Sequence, residues 1–140
     1  MIQVLLICWM SGITFTENPL LKTRKEMLSQ KWLLQSMIIE GKSYDEQTLA
    51  SRSGVSNILE FTTGGKCYVK NLNGKIMQTS NWQFANNEQE LIITNVEEGT
   101  KQLYAIEDLT FKRLVLTMQD RDVINGFVYK AMEVKKKKKR

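Results

Sequence analysis

The sequence predicts an all-β fold, an up-and-down antiparallel β-barrel of about eight strands led by a short helix. Two observations carry this. From Trp32 to Val134, apolar and polar residues alternate through short segments. Between those segments stand tight-turn residues, Gly64-Gly65, Asn73-Gly74, Asn86-Asn87 and Glu98-Gly99. Alternation at period two marks strands with one buried face. Short turns make neighbours in sequence neighbours in the sheet, which leaves little topological choice. A two-layer sandwich is the alternative arrangement of the same strands.

The elements follow in order. Asn18-Pro19 offers an N-cap and a first helical residue for a helix over Leu20 to Gln30, with Leu20, Leu21, Met27 and Leu28 on one side. Lys31 to Glu40 is the first strand. Strict alternation would set Trp32, Leu34, Ser36 and Ile38 on one face. The polar stretch Tyr44 to Gly54 reads as a long loop with room for one helical turn, of the kind that covers a barrel mouth. Asn57 to Thr63 and Lys66 to Asn71 form a hairpin around Gly64-Gly65. Lys75 to Phe84 places Gln78, Ser80, Trp82 and Phe84 in one register. Glu90 to Asn95, Gln102 to Asp108, Leu114 to Gln119 and Val123 to Val134 complete the meander.

Composition narrows the function. With 140 residues and 42% hydrophobic content, the chain makes one domain with one core. It contains no histidine, which removes the commonest metal ligand and general base. A Ser-His-Asp site, a Cys-His site and a histidine-based zinc site are thereby excluded. Cys8 and Cys67 have no metal-like spacing and no activating partner in sequence, so Cys67 reads as a buried, inert thiol. Glu60 alternates with Leu59 and Phe61 and reads as outward-facing. The glycines read as turn residues, with no helix behind them to form a phosphate loop. No catalytic residues, metal or cofactor are expected.

The formal charge of +5 is a property of one end. Residues 135–140 are all basic, and the other fourteen Lys and Arg face fifteen Asp and Glu, leaving about −1. Lys135 to Arg140 reads as a solvated, disordered tail with weak attraction for anionic lipid. It carries no aromatic residues to stack on bases, which argues against specific nucleic-acid binding. At the other end, Val4 to Met10 is too short to span a bilayer and resembles the apolar part of a secretory signal. Residues 1–17 are therefore read as a targeting segment, 18–134 as the barrel and 135–140 as the tail. That reading places the protein outside the cytoplasm or in the cell envelope. A lipid anchor on Cys8 is disfavoured by Ile7, where a small residue is wanted. Nothing in the sequence sets an oligomeric state.

Six elements, in order, resemble the bacterial lipocalin-like domains, small members of the calycin group. They are Leu28-x-x-Lys31-Trp32, Leu59-x-Phe61 through Gly65, Asn81-Trp82-x-Phe84, the Glu90 to Ile93 strand, Tyr104-Ala105-Ile106 with Leu109, and Leu114-Val115-Leu116. Gln30 stands where lipocalins carry a glycine before the tryptophan. Lys130 is the cation nearest the place of their last-strand arginine. The resemblance implies a calycin barrel and a non-catalytic binding protein for a small apolar or amphipathic ligand. The interior would be lined by Phe61, Val69, Trp82, Tyr104, Leu116, Met118 and Tyr129. Gln78 and Ser80 would be the polar groups inside, if their face turns inward. Antiparallel closure of the last strand on the first would bring Lys130 or its stem against Trp32. The alternative is a filled barrel that serves as a structural or protein-interaction module.

Overall fold

The computed structural model describes residues 23–51 and 57–132. The proposed targeting segment with Cys8, the Asn18-Pro19 cap, residues 52–56 and the basic tail lie outside the described residues. The described elements are α1 (Arg24–Leu28), β1 (Lys31–Ile39), β2 (Lys42–Tyr44), α2 (Glu46–Ser51), β3 (Ile58–Phe61), β4 (Lys66–Lys70), β5 (Ile76–Ala85), β6 (Glu90–Asn95), β7 (Lys101–Leu109), β8 (Arg113–Asp120) and β9 (Val123–Ala131).

Eight strands close into an antiparallel barrel in the order β1, β3, β4, β5, β6, β7, β8, β9, with β9 returning to pair with β1. The ninth strand, β2, is a short edge piece paired with the far end of β1, from Met37↔Tyr44 to Ile39↔Lys42. From β3 onward each connection in the meander is a short turn, while β1 and β3 are joined through β2 and α2. At the β5–β6 turn, Asn86 and Asn87 take the left-handed conformation that asparagine tolerates, at φ 52° and 56°. Gly65 sits at φ +91°, and its carbonyl accepts the Trp82 backbone N–H at 2.8 Å.

One end is closed by α1. Thr23 caps it with a reciprocal box, in which the Thr23 hydroxyl accepts the Glu26 N–H and the Glu26 carboxylate accepts the Thr23 N–H. Leu28 is fully buried, and its carbonyl accepts the Trp32 indole N–H at 2.9 Å. Arg24 Nε donates to the Glu88 carbonyl on the β5–β6 turn, and Gln30 Nε2 donates to the Phe111 carbonyl on the β7–β8 turn. The helix is thereby tied across two turns of the same barrel end.

Strict alternation fails in β1. The pairing with β9 shifts between Val128 and Tyr129, which face Ser36 and Leu34, so Gln35 is an extra residue. Trp32 and Leu34 face inward before the bulge, and Met37 faces inward after it, opposite Phe127. Ile38, expected to share the Trp32 face, is instead exposed. The bulge bends the strand that must close the barrel.

Candidate functional site

The strand registers define the inner wall. Leu59↔Val69↔Gln78 and Phe61↔Cys67↔Ser80 link β3, β4 and β5 on the inner face. Trp82↔Ile93 and Phe84↔Leu91↔Tyr104 continue it through β6 to β7. Ile106↔Leu116↔Phe127 and Leu114↔Tyr129↔Leu34 carry it through β8 and β9 back to β1. Every residue proposed for the interior lies on this wall: Phe61, Val69, Gln78, Ser80, Trp82, Tyr104, Leu116, Met118 and Tyr129. Among the described residues, the inward positions of these registers carry no Asp, Glu, Lys or Arg.

The wall is graded from one end to the other. At the α1 end, Leu28, Trp32, Leu91 and Leu114 are fully buried, and Phe61 is nearly so. Phe61, Trp82 and Phe84 form two edge-to-face contacts with centroids 5.7 and 5.2 Å apart. The Trp82 indole N–H donates to the Thr62 carbonyl at 2.9 Å, which satisfies it at this end. Phe61 and Trp82 therefore fill space here. Toward the other end, Met37, Val69, Gln78, Met118 and Phe127 are only partly buried. That end carries β2 and α2, with Tyr44 partly buried against the core and Leu49 fully buried within it. Asp45 caps α2 by accepting the Thr48 N–H at 2.9 Å. Asn125, at the start of β9, is buried and accepts the Glu40 N–H at the end of β1.

Between the two ends sits a polar belt. Ser80 is fully buried, and its oxygen accepts from Gln78 Nε2 at 2.8 Å. The face that holds both residues thus turns inward. Tyr129 is 6% exposed, and Tyr104 packs edge-on against Phe127 with centroids 6.3 Å apart. Burial raises the Tyr129 hydroxyl above its ordinary pKa, and the neighbouring Tyr104 and Cys67 raise it further. The Cys67 thiol is pushed up to about 12 by burial alone, so it is held as an unreactive neutral group. Tyr129, Tyr104 and Cys67 face the interior from three strands, β9, β7 and β4. The sequence reading missed Cys67, Phe127 and Asn125 as lining residues. Alternation with Val69 and Tyr129 would have found the first two.

One expectation about charge comes out differently. Lys130 does not cover Trp32. It stands opposite Leu33, while Ala131 stands opposite Trp32, so Lys130 points out where Trp32 points in. Its ammonium pairs with Glu46 at 3.4 Å. Trp32 is held by the Leu28 carbonyl instead. Glu60 lies outside the barrel wall as expected, but it is partnered, by Lys70 at 2.6 Å.

The outer wall offers less. A groove of about 360 Å³ runs over Leu103, Ala105, Glu107 and Thr117, where the Thr117 hydroxyl already donates to Glu107. Among the described residues, no group of three or more Cys, Asp and Glu side chains could hold a metal ion. No described helix is long and apolar enough to cross a membrane.

No protein-family model matches the chain, and no curated protein matches it significantly in sequence. Among solved structures it is similar to a lipocalin-like protein from Bacteroides uniformis. The TM-score is 0.53 at 17% identity, covering 76% of this chain and 99% of that one. At that identity the similarity speaks for the fold alone. Together with the eight-stranded closure of β9 on β1, it establishes that the fold of this protein is lipocalin-like.

Proposed function

We propose that this protein is a non-catalytic carrier that holds a small apolar or amphipathic molecule in the upper half of its barrel, on the side of β2 and α2. The observation that carries this reading is the grading of the inner wall. The fully buried Leu28, Trp32, Leu91 and Leu114 gather at the α1 end, and toward the other the wall offers partly exposed apolar side chains above a belt of buried polar groups. The lipocalin-like fold supports a binding role. The absence of histidine and the inert Cys67 thiol support a role without catalysis. The signal-like run Val4 to Met10 supports a place in the cell envelope or outside the cell. The basic tail would add weak attraction to anionic lipid.

The filled barrel is the competing reading, and the fully buried Trp32, Leu91 and Leu114 favour it for the lower half. Native mass spectrometry of protein purified from its own host, followed by extraction of bound lipid, separates the two. Carriage predicts an added mass and a Trp82 fluorescence response to apolar ligands. A bare polypeptide mass, with no response to fatty acids, sterols or retinoids, would establish the filled barrel.

A further inference from the structure

We infer that the polar belt selects an uncharged ligand: an apolar molecule whose carbonyl or ester oxygen accepts the hydroxyls of Tyr129 and Ser80, in preference to the carboxylate of the same chain. This rests on the carrier reading above and names its ligand class.

The argument begins with hydrogen bonds that are not made. The Tyr129 side chain is 6% exposed and faces the barrel interior from β9. Among the described residues its hydroxyl has no hydrogen-bond partner. Ser80 faces the interior from β5, fully buried. Its oxygen accepts from Gln78 Nε2, and its own hydrogen finds no acceptor among the described residues. A buried hydroxyl without a partner is costly, and interiors rarely tolerate one. Two such donors, on separate strands of the belt that borders the packed α1 end, call for an acceptor from outside the protein.

The surroundings decide which acceptor. A buried carboxylate needs a cation or a set of strong donors to replace its water. Here the described inward positions carry no cation, and the nearest basic groups point outward, Lys70 to Glu60 and Lys130 to Glu46. The environment is poor at supporting charge, since burial alone pushes the Cys67 thiol up to about 12. Tyr104 and Tyr129 are likewise held neutral. Two neutral hydroxyls suffice for a carbonyl oxygen but leave an ionised carboxylate largely uncompensated.

The test uses three probes with matched chains, decanoate, methyl decanoate and methyl nonyl ketone, titrated into the full chain at mildly alkaline pH. Binding is read by tryptophan fluorescence and calorimetry. The ester and ketone are expected to bind at least about tenfold more tightly than decanoate, a difference of about 1.4 kcal/mol. Tyr129→Phe is expected to weaken the ester about threefold or more, while the melting temperature of the free protein stays level or rises. Ser80→Ala is the second variant and is expected to act in the same direction. Decanoate binding as tightly as the ester would overturn the selectivity and leave the carrier reading standing. So would an ester affinity unchanged in both variants. Failure of all three probes, together with a bare native mass, would overturn the carrier reading and the selectivity with it.

Discussion

Replacing Trp32 by phenylalanine tests the closed end of the barrel. Trp32 is fully buried, and its indole N–H reaches the Leu28 carbonyl at 2.9 Å. The substitution deletes that bond, worth about 0.5–1.5 kcal/mol net. The Leu28 carbonyl keeps the Gln30 backbone N–H at 2.8 Å, so the loss belongs at the lower end of that range. The smaller ring leaves about 40 Å³ of unfilled space, and at about 24 cal/mol per Å³ that adds roughly 1 kcal/mol. Loss of the buried apolar area itself adds about 1 kcal/mol. The expected destabilisation is therefore about 2–3 kcal/mol, or roughly 7–10 °C in melting temperature for a domain of this size. Urea unfolding followed by far-UV circular dichroism reads it without depending on the deleted fluorophore. The slope with denaturant should stay unchanged. Lys130→Ala is the companion variant. Its ion pair with Glu46 is largely exposed, so its effect should stay within about 0.5 kcal/mol. A loss below about 0.5 kcal/mol for Trp32→Phe, or a Lys130→Ala effect as large as the tryptophan's, would refute the assignment of Trp32 to the helix and not to the cation.

Other consequences are as direct. Peptide mapping after brief alkylation at mildly alkaline pH should find Cys67 unmodified, because its thiol is fully buried and held neutral; stoichiometric labelling of the native protein would contradict this. Asp45 is held below its ordinary pKa by the Thr48 backbone N–H and then by the Thr48 side chain. Because its folded pKa is lowered, the contribution of this cap is complete above the ordinary aspartate pKa and fades as pH falls through the lowered value. Exchange protection of the Thr48 and Leu49 amides should drop over that acid window, and Asp45→Ala should abolish the pH dependence. Glu60→Gln leaves Lys70 partly buried without its partner, so it should cost about 0.5–1.5 kcal/mol in urea unfolding, with little relief from added salt; a neutral result would show the pair to be solvated.

Much of the barrel was legible before folding. The turn residues Gly64-Gly65, Asn86-Asn87 and Glu98-Gly99 mark connections that are tight turns in the structure. Between them, alternation put Trp82, Leu116 and Tyr129 on the inner wall and set Ser80 in register with Trp82, because a strand's faces are set by its own sequence at period two. Three things lay beyond that. The Gln35 bulge flips the inward face of β1 partway along, and it is set by the pairing with β9 some ninety residues later. The same pairing sends Lys130 outward and leaves Trp32 to the Leu28 carbonyl. The start of α1 at Thr23 is set by a reciprocal capping box with Glu26, which alternation does not reveal. The candidate site is of the same kind. Tyr129, Tyr104 and Cys67 sit on strands distant in sequence, and only closure turns them toward one interior. Local alternation says which way each side chain points. The register accumulated around the whole ring decides which of them meet.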